Sequence, residues 1–141
     1  MRRIHLIVGA LLFIAFLVTG RLMRQDFPDK EIIDQEFRML MRSRHIYILF
    51  AALIHLGLGF YFTWLSRPLA RVFQTIGSAL LLASGALLIW AFFSETYFLH
   101  HFSESSRRGL YAALAGILIH GIAALADRTA PSANASDADI Q

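Results

Sequence analysis

Two histidines lie deep inside apolar stretches of the sequence, and they are the side chains best placed to do chemistry. His55 follows Arg44 by 11 residues and His120 follows Arg108 by 12, so the two rings are expected at one level. If these stretches cross a membrane as helices, both rings lie near the middle of a hydrocarbon core about 30 Å thick. Ionisable groups are costly there and seldom face lipid, so they often mark function.

Two level imidazoles that face inward could ligate a b-type haem from opposite sides of the porphyrin. Small residues at four-residue spacing accompany each histidine and would let a flat ligand or another helix come close. These predicted packing residues are Ala51 and Gly59 around His55, and Ala112, Gly116 and Ala124 around His120. The structural alternative is that each ring donates a hydrogen bond to a neighbouring helix, at Ser78, Ser84 or a carbonyl. The sequence leaves both interpretations open.

A second group of candidate ligands lies near one end of the apolar stretches: His45, His100, His101 and Glu104. Imidazole and carboxylate together suit zinc or copper. Adjacent histidines on a helix point about 100° apart, so His100 and His101 would seldom bind one ion. Histidines that simply meet water and lipid headgroups explain the same residues. His5, at the other end, is expected at the interface.

Several kinds of chemistry lack their usual motifs in this sequence. It contains no cysteine, no glycine-rich phosphate loop, no H-E-x-x-H and no serine in a G-x-S-x-G setting. Its acidic residues lie outside or at the ends of the apolar stretches, which disfavours ion-coupled transport and membrane proteolysis. The net charge of +3 is modest, and its arginines lie at apolar boundaries, so nucleic acid is not a predicted partner.

The elements that position these residues are predicted to be four transmembrane helices. Hydrophobic residues make up 57% of the chain and charged residues 16%, which is unlike a soluble domain. Lipid offers the backbone no hydrogen-bond partners, and the pattern does not alternate as barrel strands do. The predicted fold class is therefore all-α, a four-helix bundle with spans at about 4–23, 45–65, 72–93 and 110–126.

The segments between the spans carry further predictions. Proline and acidic residues followed by an amphipathic pattern predict a surface helix at about 28–42 that leads into the second span. A tight turn through Arg67-Pro68 makes spans two and three antiparallel neighbours. The polar tail 129–141 is predicted to be disordered, after a membrane domain at 1–128.

The two halves of the chain show a faint internal similarity. Leu53-Ile54-His55 matches Leu118-Ile119-His120, and both follow an arginine-bearing start. If the halves are duplicated hairpins, a two-fold axis along the membrane normal would relate the two histidines.

The stretch Arg42-Ser43-Arg44-His45-Ile46-Tyr47-Ile48-Leu49, followed by a glycine-bearing apolar span, resembles a group of small, uncharacterised bacterial membrane proteins with four predicted spans. The resemblance implies a bacterial inner-membrane location and transfers no site residue. Eight basic residues fall on the side of the first and third links and five on the other, so those links are predicted to be cytoplasmic.

Three classes of function follow from these observations. The first is a non-enzymatic accessory or assembly subunit, with the lipid bilayer, another membrane protein or a second copy of the chain as its partner. The second is a b-type haem protein for electron transfer or haem handling, with His55 and His120 as axial ligands. The third is a small-solute channel or carrier, for which the sequence lacks a polar pathway.

Overall fold

The computed structural model describes residues 1–27, 34–97 and 104–129. Within them the chain forms four long helices and no strand, as an all-α bundle should. Each helix is long and apolar enough to cross a membrane. In chain order the helices are α1 (Arg2–Asp26), α2 (Gln35–Tyr61), α3 (Pro68–Tyr97) and α4 (Glu104–Arg128).

The start of α2 differs from the separate surface helix predicted at 28–42. The Asp34 carboxylate accepts hydrogen bonds from the backbone amides of Glu36 and Phe37 at 3.0 and 3.3 Å. This N-cap starts the helix, and no glycine or proline interrupts it before the apolar span. Residues 35–42 are therefore the first turns of α2, while residues 28–33 lie outside the described part of the chain.

The four helices are arranged as two antiparallel hairpins, α1 with α2 and α3 with α4. The hairpins meet mainly through α2 and α3, whereas the backbones of α1 and α4 stay apart within the described residues and only the rings of His5 and His120 approach, with centroids 6.5 Å apart. A two-fold axis along the bundle would make the α1–α4 contact equivalent to the α2–α3 contact. The packing of the hairpins does not follow that predicted symmetry.

Glycines let the backbones within each hairpin come close. A Cβ at Gly59 of α2 would lie 2.8 Å from the backbone nitrogen of Leu6 in α1. A Cβ at Gly116 of α4 would lie 2.9 Å from the carbonyl oxygen of Gly77 in α3. Both glycines were predicted as packing residues, and both lie at such close crossings.

We call the bundle end that holds Met1, Tyr61, Pro68 and Arg128 the N-terminal face, and the other end the opposite face. At the N-terminal face, Asp127 of α4 accepts hydrogen bonds from the amides of Ser66 and Arg67, both at 3.0 Å. The α4 carboxylate thus holds the chain just before α3 begins at Pro68.

At the opposite face, Glu95 of α3 joins three helices. Its carboxylate accepts from the amides of Ser105 and Ser106 at the start of α4, at 2.6 and 3.2 Å. The same carboxylate lies 3.3 Å from the Arg44 guanidinium of α2, and both side chains are 1% exposed. The buried pair therefore ties α2, α3 and α4 together at this end.

Candidate functional site

Three histidines and a serine form one hydrogen-bonded chain inside the bundle, which we call the histidine chain. His55 Nε2 lies 3.2 Å from the Leu81 carbonyl oxygen, and His55 Nδ1 lies 2.8 Å from His5 Nδ1. His5 Nε2 lies 3.1 Å from Ser78 Oγ, which lies 3.0 Å from His120 Nε2. The chain therefore links all four helices.

The chemistry of these groups fixes where the hydrogens lie when the rings are neutral. The Leu81 carbonyl only accepts, so His55 carries its hydrogen on Nε2, and its Nδ1 accepts from His5 Nδ1. His5 Nε2 then accepts from the Ser78 hydroxyl, whose oxygen accepts from His120 Nε2. Every hydrogen is assigned, and His120 Nδ1 is left as an acceptor that the chain does not use.

His5 is the central residue of the histidine chain, and its side chain faces the interior of the bundle close to the N-terminal face. Its side chain is fully buried, as are those of His55 and Ser78. Like His55 and His120, His5 is an ionisable residue inside an apolar run and must find partners there. His5 was expected at the interface because it lies close to the start of the sequence. In the structure α1 begins at Arg2 and buries His5 in its first turns.

The members of the histidine chain lie at different distances from the N-terminal face: His5 and His55 lie nearer that face, whereas Ser78 and His120 lie nearer the middle of α3 and α4. His55 is six residues from the end of α2 at Tyr61, which corresponds to about 9 Å of helix. His120 is eight residues from the end of α4 at Arg128, which corresponds to about 12 Å of helix, so the two rings lie at similar distances from this end of the bundle. Their depth in a membrane stays a prediction.

The arrangement does not fit a haem held by His55 and His120. Axial ligands must face each other across a porphyrin with one nitrogen each aimed at the iron. Here His5 and Ser78 lie between the two rings, and His55 has both nitrogens bonded to protein groups. The hydrogen bonds predicted as the structural alternative, to Ser78 and to a carbonyl of α3, are the contacts observed.

His120 is the member of the chain that reaches open space. The Cδ2 atom of its ring lies against Gly77 and its Nε2 lies against Ser78, both on α3. The Nδ1–Cε1 edge is therefore turned away from α3. His120 lines two cavities on that side of α3, one at the N-terminal face and one on the flank of the bundle.

The cavity at the N-terminal face, which we call the face cavity, has a volume of about 550 Å³. The groove on the flank between α2 and α4, which we call the lateral groove, has a volume of about 280 Å³. Small-molecule sites occupy roughly 300–1,000 Å³, so the face cavity is of ligand size. Polar and aromatic side chains line the face cavity, among them Tyr61, Trp64, Gln74, His120 and Asp127.

The predicted metal ligands are not brought together in the described part of the chain. His45 Nδ1 lies 3.0 Å from Thr19 Oγ1, and its ring stacks on Phe16. Glu104 is paired with Arg107 and Arg108 on the surface. His100 and His101 lie outside the described residues, within which no group of three metal-binding side chains is found.

The remaining predicted packing residues have different surroundings. Ala51 is buried in the apolar cluster formed with Leu12, Ile48 and Phe92. Ala112 and Ala124 are partly exposed, and Ala124 lines the face cavity. Small residues on α4 therefore border open space as well as a helix contact.

Sequence reasoning missed Arg44–Glu95 because the two residues are 51 positions apart and each lies at the end of an apolar run, where a charge is expected. It named Ser78 only as one example of a hydrogen-bond partner.

Comparisons with protein-family models, with curated proteins and with solved structures give no match to this chain.

Proposed function

We propose that this chain is a multi-pass membrane protein of four spans that binds a small molecule at the free end of its histidine chain. The observation that carries the proposal is His120, whose Nδ1 is the one unused acceptor of an otherwise completed chain and whose ring lines two cavities. A buried polar network that ends in an open, ligand-sized cavity is a default binding-site candidate.

Membrane insertion is supported by the outer surface of the bundle. Large apolar side chains are exposed along the outside of the helices, including Leu11, Leu17, Leu53, Leu118 and Ile122 at 50–70%. In water such a large exposed apolar surface would promote aggregation, whereas lipid chains solvate it. We further propose a bacterial inner-membrane location with the opposite face in the cytoplasm, as the resemblance and the arginine distribution predict.

Ligand binding is the form that we propose for the accessory function predicted from the sequence. The bundle holds a ligand and performs no reaction on it, either for another membrane protein or for a second copy of this chain. A purified protein that runs as a single monomeric species in native electrophoresis would count against such a partner.

A small-solute channel is less well supported than a binding site. Toward the opposite face, the histidine chain is followed by an apolar layer that contains Leu12, Ile48, Leu88 and Phe92. A polar solute crossing this layer would lose its hydrogen bonds without replacement. The arrangement argues for a site that is open toward one face only, and solute flux in proteoliposomes would contradict it.

Chemical modification tests the proposed site directly. Diethyl pyrocarbonate acylates an imidazole nitrogen that has a free lone pair, and among these three histidines only His120 offers one. In the folded protein in nanodiscs, peptide mass spectrometry should find His120 modified and His5 and His55 protected. All three should react after unfolding in hot SDS.

A matched variant links that reactivity to the face cavity. A side chain added at Gly121 meets no atom within 4 Å, and Gly121 lines the face cavity. Gly121→Leu should therefore slow modification of His120 without unfolding the bundle. The proposal is overturned if His120 in the parent protein is as unreactive as His5 and His55.

An absorption spectrum of the protein from haem-supplied cells tests the second function class. We expect no Soret band. A band that disappears in both His55→Ala and His120→Ala would overturn the proposed arrangement and establish the haem alternative.

A further inference from the structure

The lateral groove has walls of a different character from the face cavity. It runs along the outside of the bundle where α2 and α4 flank α3, and its wall side chains are apolar except for His120. Leu53, Ile54, Leu58 and Ile117 form most of the wall, and Leu53 is 57% exposed. A molecule dissolved in the lipid could enter this groove without crossing water.

Gly57 of α2 lines this groove, and no described residue of another helix packs against it. A Cβ at Gly57 would meet no atom within 4 Å, whereas a Cβ at Gly59, two residues on, would clash with Leu6 of α1. Glycine inside a helix is less favourable than alanine, so it usually serves a close approach. Among the described residues none makes that approach at Gly57, and the open space beside it belongs to the lateral groove.

The polar end of the groove specifies the head group of a molecule bound there. With the hydrogens placed as above, His120 Nδ1 offers a lone pair and no hydrogen. A complementary ligand must donate a hydrogen bond. No charged side chain lines the groove, so a charged head group would lie there unpaired, which is costly.

We propose that the lateral groove binds a neutral, lipid-soluble phenol or alcohol whose hydroxyl donates to His120 Nδ1 and whose apolar tail lies along Gly57. This inference rests on the proposed function and names its ligand class. The histidine chain then acts as an extended acceptor, because a hydrogen bond to Nδ1 polarises His120, Ser78 and His5 in turn.

Trp64 provides a reporter for the test, because it and His120 both line the face cavity. Trp90 is 65% exposed, so Trp90→Phe leaves Trp64 as the only tryptophan with little effect on the fold. In nanodiscs, 4-nonylphenol should change Trp64 fluorescence saturably. The methyl ether 4-nonylanisole cannot donate and should bind about fivefold more weakly, as expected for one lost hydrogen bond.

Two variants connect the binding to the groove and to the ring. Gly57→Leu should weaken binding of 4-nonylphenol at least about tenfold by filling the groove. Ala10→Leu, which places a leucine at an exposed position on α1, should leave binding unchanged. His120→Leu should remove the difference between the phenol and its ether.

The inference is overturned if the phenol and the ether bind the parent protein equally, or if Gly57→Leu binds the phenol as the parent does. A change in the oligomeric state of Gly57→Leu, with phenol binding retained, would assign the groove to a second copy of the chain and also overturn it. The proposed function is tested separately, by the reaction of His120 with diethyl pyrocarbonate in the absence of any phenol. It fails if His120 is unreactive there, whatever the outcome of the phenol experiment.

Discussion

At the scale of single residues, the hydrogen positions in the histidine chain follow from one carbonyl. Leu81 can only accept, and that constraint passes from His55 through His5 and Ser78 to His120. His5 carries its hydrogen on Nδ1, whereas His55 and His120 carry theirs on Nε2. The direction of the chain is therefore a property of the fold, and it sets which kind of ligand His120 can accept.

We predict that neutral His55 and His120 are Nε2–H tautomers and that His5 is the Nδ1–H tautomer. Side-chain ¹⁵N spectra of histidine-labelled protein distinguish the two forms, and His5→Phe, His55→Phe and His120→Phe assign the signals. An Nε2–H tautomer at His5 would contradict the assigned direction of the chain.

His5→Phe should destabilise the bundle more than its place near the chain start suggests. The change leaves His55 Nδ1 without its donor and the Ser78 hydroxyl hydrogen without its acceptor in a fully buried position, at about 1–3 kcal/mol for each unsatisfied group. Unfolding by SDS titration measures the loss. Ile4→Phe, at a neighbouring position that is 45% exposed, is the matched control, and equal stability of the two variants would refute the prediction.

At the scale of elements, two features hold the helices together. Glycines allow close helix crossings, and carboxylates accept hydrogen bonds from backbone amides at or just before the start of a neighbouring helix. Glu95 at the end of α3 holds the start of α4, and Asp127 at the end of α4 holds the segment before α3. The α3–α4 hairpin is thus fastened at both ends by its own acidic residues. This fixes Ser78 and His120 opposite each other across the hairpin.

Glu95→Gln should cost about 3–5 kcal/mol of unfolding free energy, because it removes the buried carboxylate charge that lies 3.3 Å from the Arg44 guanidinium. Glu104→Gln, which breaks exposed pairs with Arg107 and Arg108, should cost no more than about 1 kcal/mol. SDS titration of both variants makes the comparison. Similar losses would show that the Arg44–Glu95 pair does not act as a buried ion pair.

Gly116→Ala should separate α3 from α4 and lower stability by about 1–3 kcal/mol, since the new Cβ would lie 2.7 Å from Leu81 Cγ and 2.9 Å from a backbone oxygen. Gly121→Ala, one turn further along α4, meets open space and should be neutral or slightly stabilising. The same titration compares them, and a neutral Gly116→Ala would contradict the close crossing.

At the scale of the whole molecule, the bundle is polar at its two ends and in the histidine chain, with an apolar layer between the chain and the Arg44–Glu95 pair. The two polar regions are therefore separate. This division favours a binding site that opens at one face and on one flank over a continuous path between the two faces.

The proposed topology predicts which positions share a side of the membrane. The sequence contains no cysteine, so single-cysteine variants can be labelled without background. Thr63→Cys and Thr129→Cys should react with an impermeant maleimide added outside intact spheroplasts, while Gln25→Cys and Gln35→Cys should react only after lysis. None of these changes alters the arginines on which the sidedness prediction depends. Labelling of Thr63→Cys and Gln25→Cys from the same side would refute a membrane-crossing α1–α2 hairpin.

The sequence by itself determined the four helices and marked His55 and His120 as buried polar residues. Both results follow from local composition, because an apolar run of this length must be helical in lipid and an ionisable residue within it must find a partner. Only the tertiary structure decided which partner each one has. His5, Ser78 and Leu81 come from different helices or turns, and the packing of α1 and α3 against α2 places them within hydrogen-bond distance of the two predicted rings. The same packing makes His55 and His120, which the sequence left open as haem ligands or hydrogen-bonded residues, the ends of one directed chain. The separation of two rings across a bundle depends on helix packing and cannot be counted along the sequence.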